Sequence, residues 1–388
     1  MVKSSNKAKT TSAYPDISRT VPAFTKILLV ARAAGQCQFP GCRRYLFEHH
    51  LTLQAGNFAE FAHIIGFKPK GPRGGDATDR KRIHDVANLM LLCPEDHKMI
   101  DDHSDEYPTD ALEKQKADHE ARVRHLIGLG PEMQTVLLQL KCRIAGQVVD
   151  IPVDDIVSAP APRYPVSKPG TVIDLNELDT DEQTFYELAS ERIQRRVREF
   201  YEREDVEHVR HASVFALGPI PLLMILGNAL SSTVPVDLFQ RHRDPETWQW
   251  KEDGELVEFA LTQIQAGTNL ESVALLLSLS GKVHVEGLPA EIDSAFTIYE
   301  IHPKGREPNA MLLRRREDVE NFKPVYHEFL GKITSVHPAL KTIDVFPAVP
   351  ASIAVVCGRE LLRKKHPTLM VWDLKKKTNQ YVRTIKVN

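Results

Sequence analysis

The sequence contains no run of eighteen apolar residues, so it offers no candidate transmembrane helix. Its opening stretch, MVKSSNKAKTTSAYPD, is polar and basic and lacks the apolar centre of a signal peptide. Residues 1–22 are therefore expected to form a disordered tail on a cytoplasmic protein. Cysteine is scarce and odd in number: Cys37, Cys42, Cys93, Cys142 and Cys357. Five cysteines in a chain of this length argue against a disulfide framework. A strong charge imbalance is also missing. Fifty Lys+Arg face 52 Asp+Glu; residues 1–127 carry 19 against 16, and residues 211–388 carry 21 against 20. Neither part has the basic excess of a protein that holds nucleic acid mainly by charge. What remains is a chain of 388 residues, 42% hydrophobic and 26% charged, of soluble composition and long enough for two domains or more.

The scarce residues are clustered. Three of the five cysteines and eight of the sixteen histidines lie in the first 127 residues. FTKILLVARAAG (24–35) reads as a helix, and CQFPGC as a tight turn between two cysteines. FAEFAHIIGF is a short apolar segment that leads into FKPKGPRGGDATDRKR (67–82), which has six cations and two carboxylates. NLMLLC reads as a strand and PEDHKMIDD as the next helix, with Pro94 at its first position. A second helix follows from Thr109 or Asp110. Cys37-x4-Cys42 forms a knuckle, and Cys93 is followed by Asp96 and His97. Two separated segments with soft ligands suit a tetrahedral zinc site, with buried free cysteines as the alternative.

The later chain is organised differently. MQTVLLQLKCRIAG is followed by the proline-rich APAPRYPVSKPG, which reads as a domain connection, and by a long charged helix at about 181–204. From Ser213, strands alternate with helices, as in an α/β layer fold. Phe215–Gly227 and Phe346–Gly358 share the pattern F-x3-P-x7-G, which is either coincidence or a duplicated Rossmann-like unit.

AHI at 62–64, Asn88 and His97 resemble the His-Asn-His signature of the HNH (ββα-metal) endonucleases, over about residues 24–125. The resemblance implies His63 as general base, Asn88 as a residue that fixes the loop, and His97 with Asp101 as ligands of a catalytic Mg²⁺. It also implies a structural Zn²⁺ on Cys37, Cys42 and Cys93, for which Asp96, where members often carry Cys or His, or a nearby histidine is the fourth ligand, and phosphate contacts from the 67–82 loop. Many members carry an acidic or histidine metal ligand just before the base; here that position is Ala62, so Glu60 is a further candidate. ALGPIPLLMILG, FQRHRDPETWQW and FPAVPASIAVVCGREL, in that order, resemble the SAVED domain, two fused CARF-like units that sense cyclic oligonucleotides. Ligand contacts are expected from Arg241, Arg243, Trp248 and Trp250, from the helix starts at Pro219 and Pro350, and from Arg359. Core packing is the other reading of the tryptophans, and a surface ion pair that of Arg359.

The combination is similar to the HNH–SAVED effectors of bacterial cyclic-oligonucleotide antiphage signalling (CBASS). It implies an α/β plus α+β protein: tail 1–22, HNH domain 23–127, helical connector and linker 128–204, SAVED sensor 205–388. The function implied is a metal-dependent endonuclease that degrades double-stranded DNA in abortive infection. A cyclic di- or trinucleotide would switch it on through assembly of a homo-oligomer, dimer to tetramer, without any membrane. An HNH restriction enzyme whose C-terminal domain reads DNA directly is the alternative, and a zinc-stabilised binding module with a decayed site is a third reading.

Overall fold

The computed structural model describes residues 18–75, 81–180, 184–231, 234–375 and 378–388. Most of the expected tail and residues 76–80 of the basic loop lie outside the described residues. The chain divides into two compact units, Met1–Gly130 and Pro131–Asn388.

In the first unit, helix α1 (Ala23–Arg32) packs on an antiparallel pair, β1 (Glu60–His63) and β2 (Leu89–Leu92). All four residues of β2 are buried, which explains why the sequence there is apolar without alternation. Helix α2 (Pro94–Asp102) follows directly. Pro94 sits in its first turn, where its missing N–H costs nothing, and Glu95 and Asp96 favour the same positive end. Helix α3 (Thr109–Ile127) closes the unit with Leu112 in the core.

The second unit holds two sheets. The first contains β3 (Gln134–Lys141), β4 (Tyr164–Pro165), β5 (Thr171–Asp174), β6 (Ala212–Leu217) and β7 (Val236–Phe239), ordered β4-β3-β6-β7 with β5 also on β3. After a small hairpin of β8 (His242–Arg243) and β9 (Glu246–Thr247) comes the second sheet. It contains β10 (Phe259–Gln265), β11 (Val273–Ser278), β12 (Thr297–Pro303), β13 (Thr342–Ala348), β14 (Thr368–Lys375) and β15 (Gln380–Val387). Its order is β10-β12-β11-β13-β14-β15; only the edge strands β10 and β15 pair antiparallel. Among the helices, α4 (Val153–Val157), α5 (Phe185–Tyr201) and α6 (Glu204–Val209) go with the first sheet and α8 (Arg316–Val336) with the second, while α7 (Ile220–Leu230) and α9 (Ala351–Arg359) pack on each other, α7 also against β14 and β15 and α9 against β6 and β7.

One chain path is used twice: β3-β5-α5-β6-α7-β7, then β11-β12-α8-β13-α9-β14. The sequence near-repeat is the centre of that duplication. Gly227 on α7 and Gly358 on α9 meet reciprocally. A Cβ on Gly227 would lie 1.9 Å from the Val355 carbonyl oxygen, and one on Gly358 would lie 1.9 Å from that of Met224. Only glycine lets the two backbones touch there. Both helices are apolar almost all round because they are buried on every side. The repeat's two phenylalanines are also equivalent, each packing on a tryptophan of its own half: Phe215 on Trp248 and Phe346 on Trp372, both at 5.3 Å.

This duplication corrects the expected helical connector at 128–204. Residues 134–141 form the central strand of the first sheet, 171–174 its neighbour, and α5 covers them. A parallel strand buried on both faces carries no alternation, so periodicity does not separate it from an amphipathic segment. The antiparallel edge strands β10 and β15 also had no place in the sequence reading.

Candidate functional sites

Two loops and a helix start converge in the first unit. The turn around Pro40 and Gly41 presents Cys37 and Cys42, while the β2–α2 junction presents Cys93 and Asp96. One ligand atom from each of these four lies within 4.8 Å of every other. A tetrahedral ion with zinc–sulfur bonds of about 2.3 Å needs ligand separations of about 3.8 Å, so a small inward movement suffices. Asp96 Oδ2 accepts from the thiols of Cys37 at 3.1 Å and Cys93 at 3.0 Å, and the Cys93 amide donates to Cys37 Sγ at 3.4 Å. Burial pushes the Cys37 thiol up, and burial with the Asp96 carboxylate pushes Cys93 up to about 12. Such thiols stay protonated at neutral pH without a cation, and a bound ion supplies the missing charge.

A second cluster lies at the end of the strand pair. His63 is the last residue of β1, paired with Leu89. Its Nε2 is buried without a hydrogen-bond partner. Burial, together with His84 and His97 nearby, lowers its pKa to about 4, so the ring is neutral at pH 7. Asn88 locks the loop after β1: its Oδ1 accepts from the Ile65 amide at 2.8 Å, and its Nδ2 donates to the carbonyls of Ile83 at 3.0 Å and Ile65 at 3.3 Å. His97 and Asp101 stand one turn apart on α2, Nε2 to Oδ2 at 3.5 Å. Asp101 is not free. Arg73, with a side chain only 4% exposed, binds its Oδ1 at 2.7 Å and also donates to the carbonyls of Ile100 and Ile64.

Arg73 therefore departs from the expected phosphate-binding loop. The segment Gly66–Gly74 folds back on itself, where a Cβ on Gly66 would lie 2.1 Å from the Pro72 carbonyl oxygen. That fold carries Arg73 inward, and Lys68 and Lys70 are left exposed. Glu60 is not brought to His63 either: three residues apart on one strand, they point to opposite faces. Ala62 is fully buried in the core. His84, not singled out in the sequence, stands beside His63 with ring centroids 5.6 Å apart.

In the second unit, Arg241, Arg243 and Pro350 come together. They line an open cleft with His242, Lys251 and Arg314. Pro350 is the N-cap of α9, so a helix start with unpaired N–H groups faces the same region. One of those groups, the Ser352 amide, is already taken by Gln240 Oε1 at 3.2 Å. Arg241 is paired with Glu246 at 2.9 Å and Arg314 with Asp253 at 2.6 Å, both partners largely exposed. Burial, with Lys251 and Arg314 beside it, lowers His242 to about 4.

The model of the family described as "SMODS-associated and fused to various effectors sensor domain", SAVED, matches residues 193–387. The chain belongs to the SAVED family. A comparison with curated proteins returns no match. Among solved structures, the Acinetobacter baumannii Cap4 SAVED/CARF-domain containing receptor with the cyclic trinucleotide 2'3'3'-cAAA is similar at 13% identity and a TM-score of 0.42, covering 81% of this chain and 67% of that one. The same receptor described without a ligand gives 12% and 0.40, covering 80% and 58%. The Moraxella osloensis Cap4 receptor gives 10% and 0.38, covering 81% and 66%.

The match begins inside α5, whereas the first half of the structural duplication starts with β3 at Gln134. Four of the residues expected to contact ligand do not line this cleft. Trp248 is 1% exposed in the core, edge-on to Phe215, so its ring has no free face. Trp250 is partly buried and donates to the Leu238 carbonyl at 3.1 Å. Pro219 caps α7 but does not line the cleft. Arg359 is at the far end of α9 from Pro350, about 13 Å along a helix of this length. It donates to the Val234 carbonyl at 2.8 Å and lines a separate hollow with Asp237, Arg316 and Lys323. Burial lowers its pKa. Lys251 and Arg314 were missed; the run Arg314-Arg315-Arg316 was the available signal. No described helix is long and apolar enough to cross a membrane.

Proposed function

We propose that this protein is a metal-dependent DNA endonuclease gated by a cyclic oligonucleotide, with a role in antiphage defence. What carries the reading is the pairing in one chain of a SAVED sensor with a separate unit in which β1, β2 and α2 present His63, Asn88 and His97.

In this reading the first unit is a ββα-metal nuclease. A neutral His63 removes a proton from the attacking water, for which its lowered pKa keeps it ready. His97 and Oδ2 of Asp101 would hold Mg²⁺, which stabilises charge on the phosphate and the leaving oxygen. Two protein ligands suit Mg²⁺, which keeps several waters and takes others from phosphate. Arg73 holds the other Asp101 oxygen and so fixes the carboxylate for that task. Asn88 sets the backbone that aims His63. Cys37, Cys42, Cys93 and Asp96 would hold a structural Zn²⁺ that ties the knuckle to the α2 start; their donor set and spacing fit it.

The cleft at α9 is the proposed ligand site. Four cations and a helix start suit a small ligand with two or three phosphates. A cyclic di- or trinucleotide is that class, and its binding would shift an inactive assembly toward a homo-oligomer that brings nuclease units together on duplex DNA. The experiment is plasmid DNA with Mg²⁺ and a panel of cyclic di- and trinucleotides, with His63→Ala as control. Degradation triggered by one ligand and lost in the variant is the expected result. Degradation without any ligand would instead support direct DNA reading by the C-terminal unit.

A further inference from the structure

Two histidines of the first unit each carry a buried ring nitrogen without a partner: Nε2 of His63 and Nδ1 of His84. The rings are neighbours, their centroids 5.6 Å apart and their planes inclined at 55°. His84 is anchored by its other nitrogen, Nε2, which lies 2.7 Å from the Ser18 carbonyl oxygen. A carbonyl only accepts, so Nε2 of His84 carries the hydrogen. In a neutral imidazole the second nitrogen is then a bare acceptor. Nδ1 of His84 is therefore a buried lone pair in want of a donor.

We propose that His84 is a positioning residue: it accepts a hydrogen bond from Nε2–H of His63 and so leaves Nδ1 of His63 as the free base. The consequence for catalysis rests on the nuclease reading, while the hydrogen-bond argument does not. With the hydrogen on Nδ1 of His63, two buried lone pairs would face unpaired surroundings. With it on Nε2, a single bond between the neighbouring rings would satisfy both nitrogens. Phe67 walls the pair, stacked on His84 at 6.1 Å and edge-on to His63 at 5.8 Å, with the Arg19 guanidinium over its outer face at 5.7 Å. That wall limits how far either ring turns away.

The test uses the full chain with ¹⁵N-labelled histidine. Long-range proton–nitrogen correlation at neutral pH, without DNA or nucleotide, reads the tautomer of His63, assigned by its loss in His63→Ala. The expected wild-type form is Nε2–H alone. His84→Ala and His84→Gln, whose amide reaches the Ser18 side, are expected to give a mixture of tautomers. His84→Asn, which places a carbonyl oxygen at the former Nδ1, is expected to keep Nε2–H. In ligand-stimulated cleavage, kcat should fall about tenfold or more in the first two with KM unchanged, and recover in His84→Asn. A wild-type Nδ1–H form, or an unchanged His63 tautomer in His84→Ala, overturns the proposal. So does a loss of cleavage in His84→Asn equal to that in His84→Ala. If the wild type cleaves nothing, the nuclease reading fails and the tautomer measurement alone decides this one.

Discussion

In the proposed nuclease, His63 and Asn88 would divide the work of one short loop between reactivity and shape. Because burial and the neighbouring histidines lower His63 to about 4, it stays neutral well below pH 7. A cation at His97 pushes it the same way. Cleavage limited by His63 should therefore hold its plateau through neutral pH and fall only as the pH drops toward 4; an acid limb centred near 6.5 would mean that an ordinary exposed histidine is acting. The same shift affects stability. The unfolded chain takes up the proton first as pH falls, so the stability from His63 and His242 is full above 6.5 and is lost as pH falls through about 4. Urea midpoints at pH 7, 5.5 and 4.5 read this directly. Asn88→Ala leaves the Ile65 amide and the Ile83 carbonyl without their partner, and should cost about 1–3 kcal/mol in the first unit, measured by chemical unfolding. The loop-fixing place of Asn88 was legible in the sequence because residue type and spacing carry it. The engagement of Asp101 by Arg73 was not, since twenty-eight residues separate the pair and only the inward fold at Gly66–Gly74 joins them.

At the level of elements, the crossing of α7 and α9 organises the SAVED unit. Gly227→Ala or Gly358→Ala places a methyl 1.9 Å from a backbone oxygen, which has no rotamer to escape into. Each is expected to cost about 1–3 kcal/mol or more. The double variant should cost less than the sum, since one separation of the helices relieves both clashes. Thermal unfolding of the three variants checks this, and strict additivity would argue against a shared contact. Strand–turn–helix units such as β6–α7 and β13–α9 were readable because their proline and glycine punctuation is local. The strand β3 was not, because its uniform burial removes the period that would have marked it.

For the whole molecule, two units with separate cores predict separable losses. Chelation, or Cys93→Ala, should lower the unfolding temperature of the first unit and leave the transition of the SAVED unit in place; a single shared shift would contradict this. Zinc content by mass spectrometry should fall in parallel. At the cleft, Arg241→Ala or Arg314→Ala should weaken binding of a cyclic oligonucleotide by roughly 10- to 100-fold, less at high salt, as lost charge-assisted hydrogen bonds imply. Trp248→Phe should leave that affinity unchanged, since the indole packs in the core.

The sequence by itself determined the clustered thiols and histidines, the β2–α2 junction with its proline start, and the repeated F-x3-P-x7-G, because each depends on residue type at short range. Tertiary structure alone decided which of the distant groups meet. It buried Trp248, sent Arg359 to the far end of its helix, joined Lys251 and Arg314 to the cleft, and set His84 beside His63. The reason is that side-chain direction follows from strand faces, helix turns and loop closure, which sequence spacing does not specify once an element boundary is crossed.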